Sequence, residues 1–442
     1  MQDLLLGSVE EIGGCVAVRL RFSFNLKACA ESRDVAAVHA TQDAQKEKIA
    51  MRQSAVTPSP FALQIAEGVL DDLRERLART RWPDEPPDQQ PWFTGTSVDY
   101  MKALVEHWRT GFDWRAQEAE LNRFRQFTVP LAGIDVHFIH EQGKGPTPMP
   151  LLLSHGWPGS VFEFRRLIPM LTDPARFGAD PDDAFTVVAP SLPGYTLSFR
   201  PGQPRFGVEE IADVFAELMT EVLGYPRFGA QGGDWGSFIA SRLGYRHAER
   251  MVGIHLNMLA VRRDPSLLQN PTEEESRFLG ELNRFLKDET GYQWIQGTRP
   301  QTLAFGLTDS PAGLAAWIVE KFRNWTDCDG DPANAVSRDD MLANITLYWA
   351  TGAIGSSFWP YHARMHRPWP IPPGATVDVP MGYAEFPREI LRPPRSVAAR
   401  MYSDIRRWTT QNKGGHFAAM EQPEVLAHEI REFFRPLRAT LR

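Results

Sequence analysis

From Phe61 onward the apolar residues recur with the period of a helix. Ile65, Val69, Leu73 and Leu77 stand four apart and predict an amphipathic helix ending before Pro83. A Pro- and Trp-rich loop (Trp82 to Trp92) separates it from a second helix predicted over Val98 to Arg115. The period then changes. Phe127 to Ile139 alternates around Leu131-Ala132-Gly133, the pattern of a hairpin. Short apolar runs follow, alternating with helical stretches. Leu151-Leu152-Leu153 leads into His155, and Phe185 to Ala189 leads into Pro190. Val208, Ile211, Val214, Phe215, Leu218, Met219 and Val222 share one helix face. Arg227-Phe228-Gly229-Ala230 is another apolar run, a helix is expected over Ser237 to Tyr245, and Met251 to Leu256 reads as the next strand. Buried strands alternating with helices predict an α/β protein with a parallel, doubly wound sheet.

After Met258 the alternation stops. Residues 262–365 read as helical and unusually aromatic, and the strand pattern resumes only at Val379 to Tyr383 and Ile405 to Thr409, before a closing helix from Pro423 to Phe434. A helical insertion between strands is a natural lid over the strand ends. The predicted organisation is a leader (1–57), an N-terminal helical extension (58–126), the first part of the core (127–261), the lid (262–365) and the second part of the core (366–442). Within the leader, Val16 to Phe24 has strand character, whereas Ala28 to Gln53 is weakly periodic and rich in Ala, Gln, Lys and Asp. Met51 is the expected physiological start, with the preceding residues disordered or non-native.

Composition narrows the function classes. Of 442 residues, 43% are hydrophobic, enough for a large core, and 23% are charged, an ordinary soluble surface. The net charge of -7 argues against a nucleic-acid partner, which calls for a basic face. No stretch has the roughly 20 apolar residues of a membrane span, and Met1 to Leu6 followed by Glu10 and Glu11 lacks the basic start of a secretory signal. Cys15, Cys29 and Cys328 are odd in number and widely spaced, as expected of free thiols in a cytoplasmic protein and not of a zinc site. Neither metal nor organic cofactor is expected.

The chemistry concentrates at Gly232-Gly233-Asp234-Trp235-Gly236, between a predicted strand and a predicted helix. Glycines two residues before and after a reactive side chain permit the tight strand-to-helix turn that lifts a nucleophile above a sheet. Serine usually occupies the apex; here it is a carboxylate, which biases the chemistry toward displacement at carbon through an ester intermediate. Asp234, Glu389 and His416 follow one another in the order nucleophile, acid, histidine. An aspartate is ionised at neutral pH and needs no activation. The histidine is therefore free to deprotonate a water that cleaves the ester, with the acid orienting the ring, a contribution of about 10²–10⁴-fold in rate. Oxyanion donors are expected from the backbone N–H of Trp235 and from the loop His155-Gly156-Trp157-Pro158-Gly159. His155 itself reads as a support for that loop.

Together, His155-Gly156-Trp157-Pro158-Gly159-Ser160, Pro193-Gly194-Tyr195, Gly232 to Ser237 and Gly414-Gly415-His416-Phe417-Ala418-Ala419 resemble the α/β-hydrolase-fold epoxide hydrolases, in their microsomal-type branch with an N-terminal extension. The resemblance runs from about Phe61 to Leu437. It implies an α/β-hydrolase fold with a mostly parallel sheet, Asp234 as nucleophile, His416 as base, and Glu389 as acid through Phe386-Pro387-Arg388-Glu389, with Glu385 a nearby rival. It places the oxyanion amides on Trp157 and Trp235. It further implies two lid tyrosines that hold and protonate the epoxide oxygen: Tyr292, in Gly291 to Gln296, and Tyr361, in Ser356 to Tyr361, where the sequence departs from the family around Trp359-Pro360. Members anchored to membranes carry an N-terminal anchor, which is not visible in this sequence, so a soluble relative is expected, with no membrane partner and a possible homodimer.

The expected activity is conversion of an epoxide to a vicinal diol. The alternatives are a haloalkane or haloacid dehalogenase, which shares the Asp–His logic but needs halide donors such as Trp235, and a non-enzymatic binding protein of the same fold. A serine-type esterase is disfavoured by the carboxylate at the apex.

Overall fold

The computed structural model describes residues 56–261 and 270–441. The predicted leader, with its Val16 to Phe24 strand and Met51 start, lies almost wholly outside them.

The chain enters through a short strand, β1 (Ser59–Phe61), and three helices, α1 (Glu67–Ala78), α2 (Val98–Thr110) and α3 (Trp114–Leu121). On α1, Leu70, Leu73 and Leu77 are buried. Ile65 lies before the helix begins, its N–H bonded to Glu118 Oε1 at 2.6 Å. The single helix predicted over Val98 to Arg115 is two. Ser97 caps α2, accepting the Tyr100 N–H, and Asp113 caps α3, accepting the Ala116 N–H at 3.1 Å. Periodicity carried across the junction, but a capping aspartate offers the backbone a fresh start after Gly111. The extension is not wholly helical, since β1 pairs antiparallel with β2.

β2 (Gln126–Leu131) and β3 (Ile134–Glu141) form the expected hairpin. Its two turn residues, Ala132 and Gly133, both have positive φ (49° and 82°), the backbone that matches the twist of paired strands. Then come β4 (Met149–Ser154), α4 (Leu167–Thr172), β5 (Phe185–Pro190), α5 (Val208–Glu217), which ends in a π turn over Leu218–Val222, β6 (Phe228–Gly232), α6 (Asp234–Arg246) and β7 (Met251–Leu256). The lid follows as α7 (Glu273–Asp288), α8 (Gly291–Thr298), α9 (Pro300–Asp309), α10 (Pro311–Trp325), α11 (Arg338–Thr351), α12 (Ile354–Ser357) and α13 (Trp359–His366). β8 (Met381–Glu385), α14 (Arg395–Ala398), β9 (Ile405–Thr410), α15 (Ala418–Glu421) and α16 (Pro423–Phe434) complete the chain.

The nine strands make one sheet in the order β1-β2-β3-β5-β4-β6-β7-β8-β9. The edge from β1 to β5 is antiparallel, and β5-β4-β6-β7-β8-β9 is parallel. Residues of β5 and β7 are buried throughout, as parallel strands covered by helices on both faces must be. Alternate residues feed two cores: Leu152 packs in one, Leu151 and Leu153 in the other.

From β4 the chain crosses to β5 on one side, and β6 then lies on the other. This reversal opens a crevice at the carboxyl ends of β4 and β6, where α/β sheets bind ligands. The His155 loop leaves β4 there, and the Asp234 turn leaves β6. Among the described residues, no helix is long and apolar enough to cross a membrane.

Candidate active site

Asp234 opens α6 directly after β6, with φ of 46°. This left-handed backbone is strained for most residues, but aspartate tolerates it better than most. The neighbouring glycines make the turn possible. A Cβ on Gly232 would overlap the backbone of Gly236, and one on Gly236 would overlap Ser154 of β4. Ser237 Oγ donates to the Asp234 carbonyl at 2.7 Å and ties down the first helical turn.

The carboxylate is held from two sides. Trp157 N–H donates to Asp234 Oδ1 at 2.8 Å, and His416 Nε2 lies 3.4 Å from Asp234 Oδ2. Gly156 must be glycine, because a Cβ there would collide with the Asp234 side chain. Trp235 is the second residue of α6, in the turn whose N–H groups have no partner within the helix.

His416 Nδ1 is 2.7 Å from Glu389 Oε1, and both residues are buried. Burial by itself pushes the imidazole toward its neutral form, but Glu389 and Asp234 outweigh it and hold the ring well above the usual histidine range. The His416 N–H donates to the Trp325 carbonyl at 2.8 Å at the end of α10, so the lid fixes the loop that carries the ring. The structure brings Glu389 to His416 and leaves Glu385 elsewhere. Burial raises the Glu385 carboxyl, with Arg392 opposing the rise.

Tyr292 on α8 and Tyr361 on α13 are buried, with ring centroids 5.6 Å apart. Tyr292 stacks on Trp157 at 5.4 Å, and Tyr361 meets the Trp235 ring edge-on at 4.7 Å. Both tyrosines and Asp234 line a cavity of about 490 Å³, whose other walls include Phe238, Met258 and Trp369. A volume of this order suits a small organic molecule. The departure around Trp359-Pro360 does not displace Tyr361: Pro360 sits in the first turn of α13, where its missing N–H costs nothing.

A second, internal cavity of about 20 Å³ lies behind Asp234 and His416. Buried Ser154 Oγ and Gln231 Oε1 line it without a partner in the protein. Its wall also includes Glu163, which sequence reasoning passed over. Burial pushes the Glu163 carboxyl up to about 8, with His416 pulling the other way and Asp234 adding to the rise. Two lid residues also went unnoticed. From α11, Asn344 Nδ2 donates to the Pro158 carbonyl at 2.7 Å and Tyr348 Oη donates to the Gly159 carbonyl at 2.8 Å, clamping the loop that follows β4. Neither stands in a recognisable motif, so only the folded packing identifies them. His155 supports the same loop, its Nε2 accepting the Leu192 N–H at 3.1 Å.

Comparison with known proteins agrees with this geometry. Residues 149–292 match the model of the alpha/beta hydrolase fold, and residues 58–164 match that of the epoxide hydrolase N terminus. A Stigmatella aurantiaca (strain DW4/3-1) protein, named among the epoxide hydrolases, is 44% identical over 381 residues, covering 86% of each chain. Epoxide hydrolase 1 of Sus scrofa is 36% identical over 85% of this chain and 88% of its own. The crystal structure of juvenile hormone epoxide hydrolase from the silkworm Bombyx mori superposes with a TM-score of 0.78 at 30% identity, covering 88% of this chain and 96% of that one.

The fold defines an α/β hydrolase. Within that class, the chain belongs to the epoxide hydrolase family, and its activity is hydrolysis of an epoxide.

Proposed function

We propose that Asp234 opens the epoxide ring and that His416 then releases the product. Asp234 Oδ2 attacks a ring carbon while Tyr292 and Tyr361 donate to the epoxide oxygen from the opposite wall of the cavity. The phenols meet the developing alkoxide charge early, where hydrogen bonds in a dry site count most. The result is a hydroxyalkyl ester whose carbonyl oxygen is Oδ1, already paired with the Trp157 N–H, with Trp235 N–H as the second donor.

Ester formation removes the Asp234 charge. Glu389 then remains the main group favouring the charged imidazole, so His416 surrenders its proton more readily and becomes a base when one is needed. The water it activates fits the 20 Å³ cavity, where Ser154 and Gln231 offer hydrogen-bond partners. Glu163, its carboxyl raised to about 8, leaves His416 as the base at neutral pH. Attack on the ester carbonyl yields the diol and restores Asp234.

The observation that carries this reading is a carboxylate gripped by Trp157 and His416 on the wall of a cavity that it shares with two buried tyrosines. A single turnover in water labelled with heavy oxygen tests it. The label is expected in the Asp234 carboxylate and not in the diol; label found wholly in the diol would refute the ester route.

The aromatic and apolar walls suit a bulky or aromatic epoxide. The acidic net charge and the buried free thiol of Cys328 fit work in the cytoplasm on a small-molecule epoxide, without nucleic acid, membrane, metal or organic cofactor. A homodimer is the assembly we propose.

A further inference from the structure

The two tyrosines occupy unlike electrostatic surroundings. Lys321 on α10 is buried, and its ammonium lies 4.5 Å from the centroid of the Tyr292 ring and 5.5 Å from that of Trp325. Its ion-pair partner, Glu320, is 2.7 Å away and a quarter exposed. The phenolic oxygen of Tyr292 also accepts a hydrogen bond from Gln293 Nε2 at 2.9 Å. Tyr361 is set edge-on against the indoles of Trp157 and Trp235. Burial raises its hydroxyl well above the usual range, with Tyr292 and Asp234 adding to the effect and the Trp235 side chain opposing it.

A cation over an aromatic face is attracted by the ring's electron density. Phenolate carries more of that density than phenol, so the cation favours the ionised form. A donor to the phenolic oxygen acts in the same direction, since it stabilises a developing negative charge. The other charged groups nearby are Glu289 beyond the end of α7, which interacts with Lys321, Glu320, and two that share the cavity with Tyr292: Asp234, and Arg364 of α13, whose guanidinium lies over the Trp369 ring. Asp234 opposes a phenolate only until it attacks, because its charge disappears as the ester forms.

We propose that Lys321 is a positioning residue that acts through Tyr292, making it the proton donor of the pair and leaving Tyr361 to hydrogen-bond the epoxide oxygen without ionising. The inference rests on the ester mechanism above. As the Asp234 Oδ2–carbon bond forms, the ring C–O bond breaks and its electron pair goes to the epoxide oxygen. That oxygen takes the Tyr292 proton and leaves a phenolate facing Lys321. Hydrolysis of the ester to carboxylate and diol releases one proton, which restores the phenol.

The test compares the full-length protein with its Lys321→Met, Lys321→Arg, Gln293→Met and Tyr292→Phe variants. Rapid mixing with styrene oxide follows ester formation and ester hydrolysis as separate phases across a range of pH. Lys321→Met is expected to slow ester formation by about 3- to 10-fold and to move its alkaline limb upward by about one pH unit, as a less acidic donor requires. Ester hydrolysis should stay within about twofold, and Lys321→Arg should largely restore the first phase, because the cation over the ring is retained. Gln293→Met is expected to shift the limb in the same direction, which keeps the idea testable if Lys321→Met fails to fold. An unchanged alkaline limb in the folded variants overturns the proposal. If Tyr292→Phe itself leaves ester formation unaltered, the role of Tyr292 in ring opening fails along with it. A normal effect of Tyr292→Phe beside a silent Lys321→Met sinks only the tuning by Lys321.

Discussion

Trp157 and Asp234 stand 77 residues apart in sequence, yet the backbone N–H of one rests on the carboxylate of the other at 2.8 Å. The parallel register of β4 and β6, which pairs Ser154 with Gly232, sets this contact. In the proposed ester route, the donor for a tetrahedral intermediate is thus in place before substrate arrives, so the second step needs no reorganisation.

Gly156→Ala should break that arrangement. Its Cβ would occupy the space of the Asp234 side chain, so the carboxylate must shift away from Trp157. Turnover should fall by about 10²–10³-fold, the effect of losing an oxyanion donor, and the overlap with the Asp234 Cβ should lower thermal stability as well. Steady-state kinetics beside a melting curve check this, and near-normal turnover would contradict it.

His416→Gln should separate the two chemical steps. In the proposed route, ring opening does not require the imidazole as a base, whereas ester hydrolysis does. Intact-protein mass spectrometry after mixing with an epoxide should show a stable adduct of substrate mass on the Asp234 peptide. Turnover should drop by at least about 10²–10⁴-fold. A variant that loses turnover without accumulating an adduct would speak against the scheme.

The two candidate acids are distinguishable by substitution. Glu389→Gln removes the charge 2.7 Å from His416 Nδ1 and should slow ester hydrolysis by about 10²-fold or more. Glu385→Gln should alter it only a few-fold, because that carboxyl faces Arg392 and not the imidazole. Single-turnover rates of the second phase decide between them.

The fold was legible in the sequence because local chemistry encodes it, and so were the residues of the candidate site that the structure brings together. The strand at Met251–Leu256 and the helix at Pro423–Phe434 were bounded correctly by their apolar periodicity and by proline at a helix start. Asp234 and His416 announced themselves through glycines that tight turns require. The break between α2 and α3 was missed because the apolar spacing continues through the Asp113 cap. Asn344, Tyr348 and Glu163 were invisible for another reason: each matters through a neighbour more than a hundred residues away or through a cavity, and no local pattern records either. Lys321 shows its role only where α10 brings it over the Tyr292 ring of α8.

The lid clamp is expected to contribute to stability as well as to shape. Tyr348→Phe leaves the Gly159 carbonyl without its partner, and Asn344→Leu does the same for Pro158. Each should cost about 1–3 kcal/mol, the penalty for an unsatisfied buried group. Urea unfolding of the two variants measures it, and a loss below about 0.5 kcal/mol in both would show that the bonds are dispensable.

Stability should peak near pH 6.5. His137, His155 and His255 are buried, and desolvation depresses them to about 3, 4 and 4. Below pH 6.5 the unfolded chain therefore takes up protons that the folded protein refuses, and stability falls at about 1.4 kcal/mol per pH unit for each. Glu163 and Glu421, raised by burial to about 8 and 7, run the other way. Their stabilisation is complete below about 4.5 and lost as pH climbs through 7 to 8. They offset part of the acid limb above pH 4.5, leaving a shallow decline that steepens below it. Urea titrations from pH 5 to 8.5 should trace this dome, and a flat profile would contradict it.

The pocket floor and roof differ in how much change they can absorb. Around Asp234, Gly156, Gly232 and Gly236 leave no volume for even a methyl group. The opposite wall is built from helical side chains, among them Arg364 and Met365 on α13. Anyone wishing to redirect which enantiomer is consumed would therefore redesign the canopy and leave the hearth alone, since shape can vary there without moving the atoms that make and break bonds.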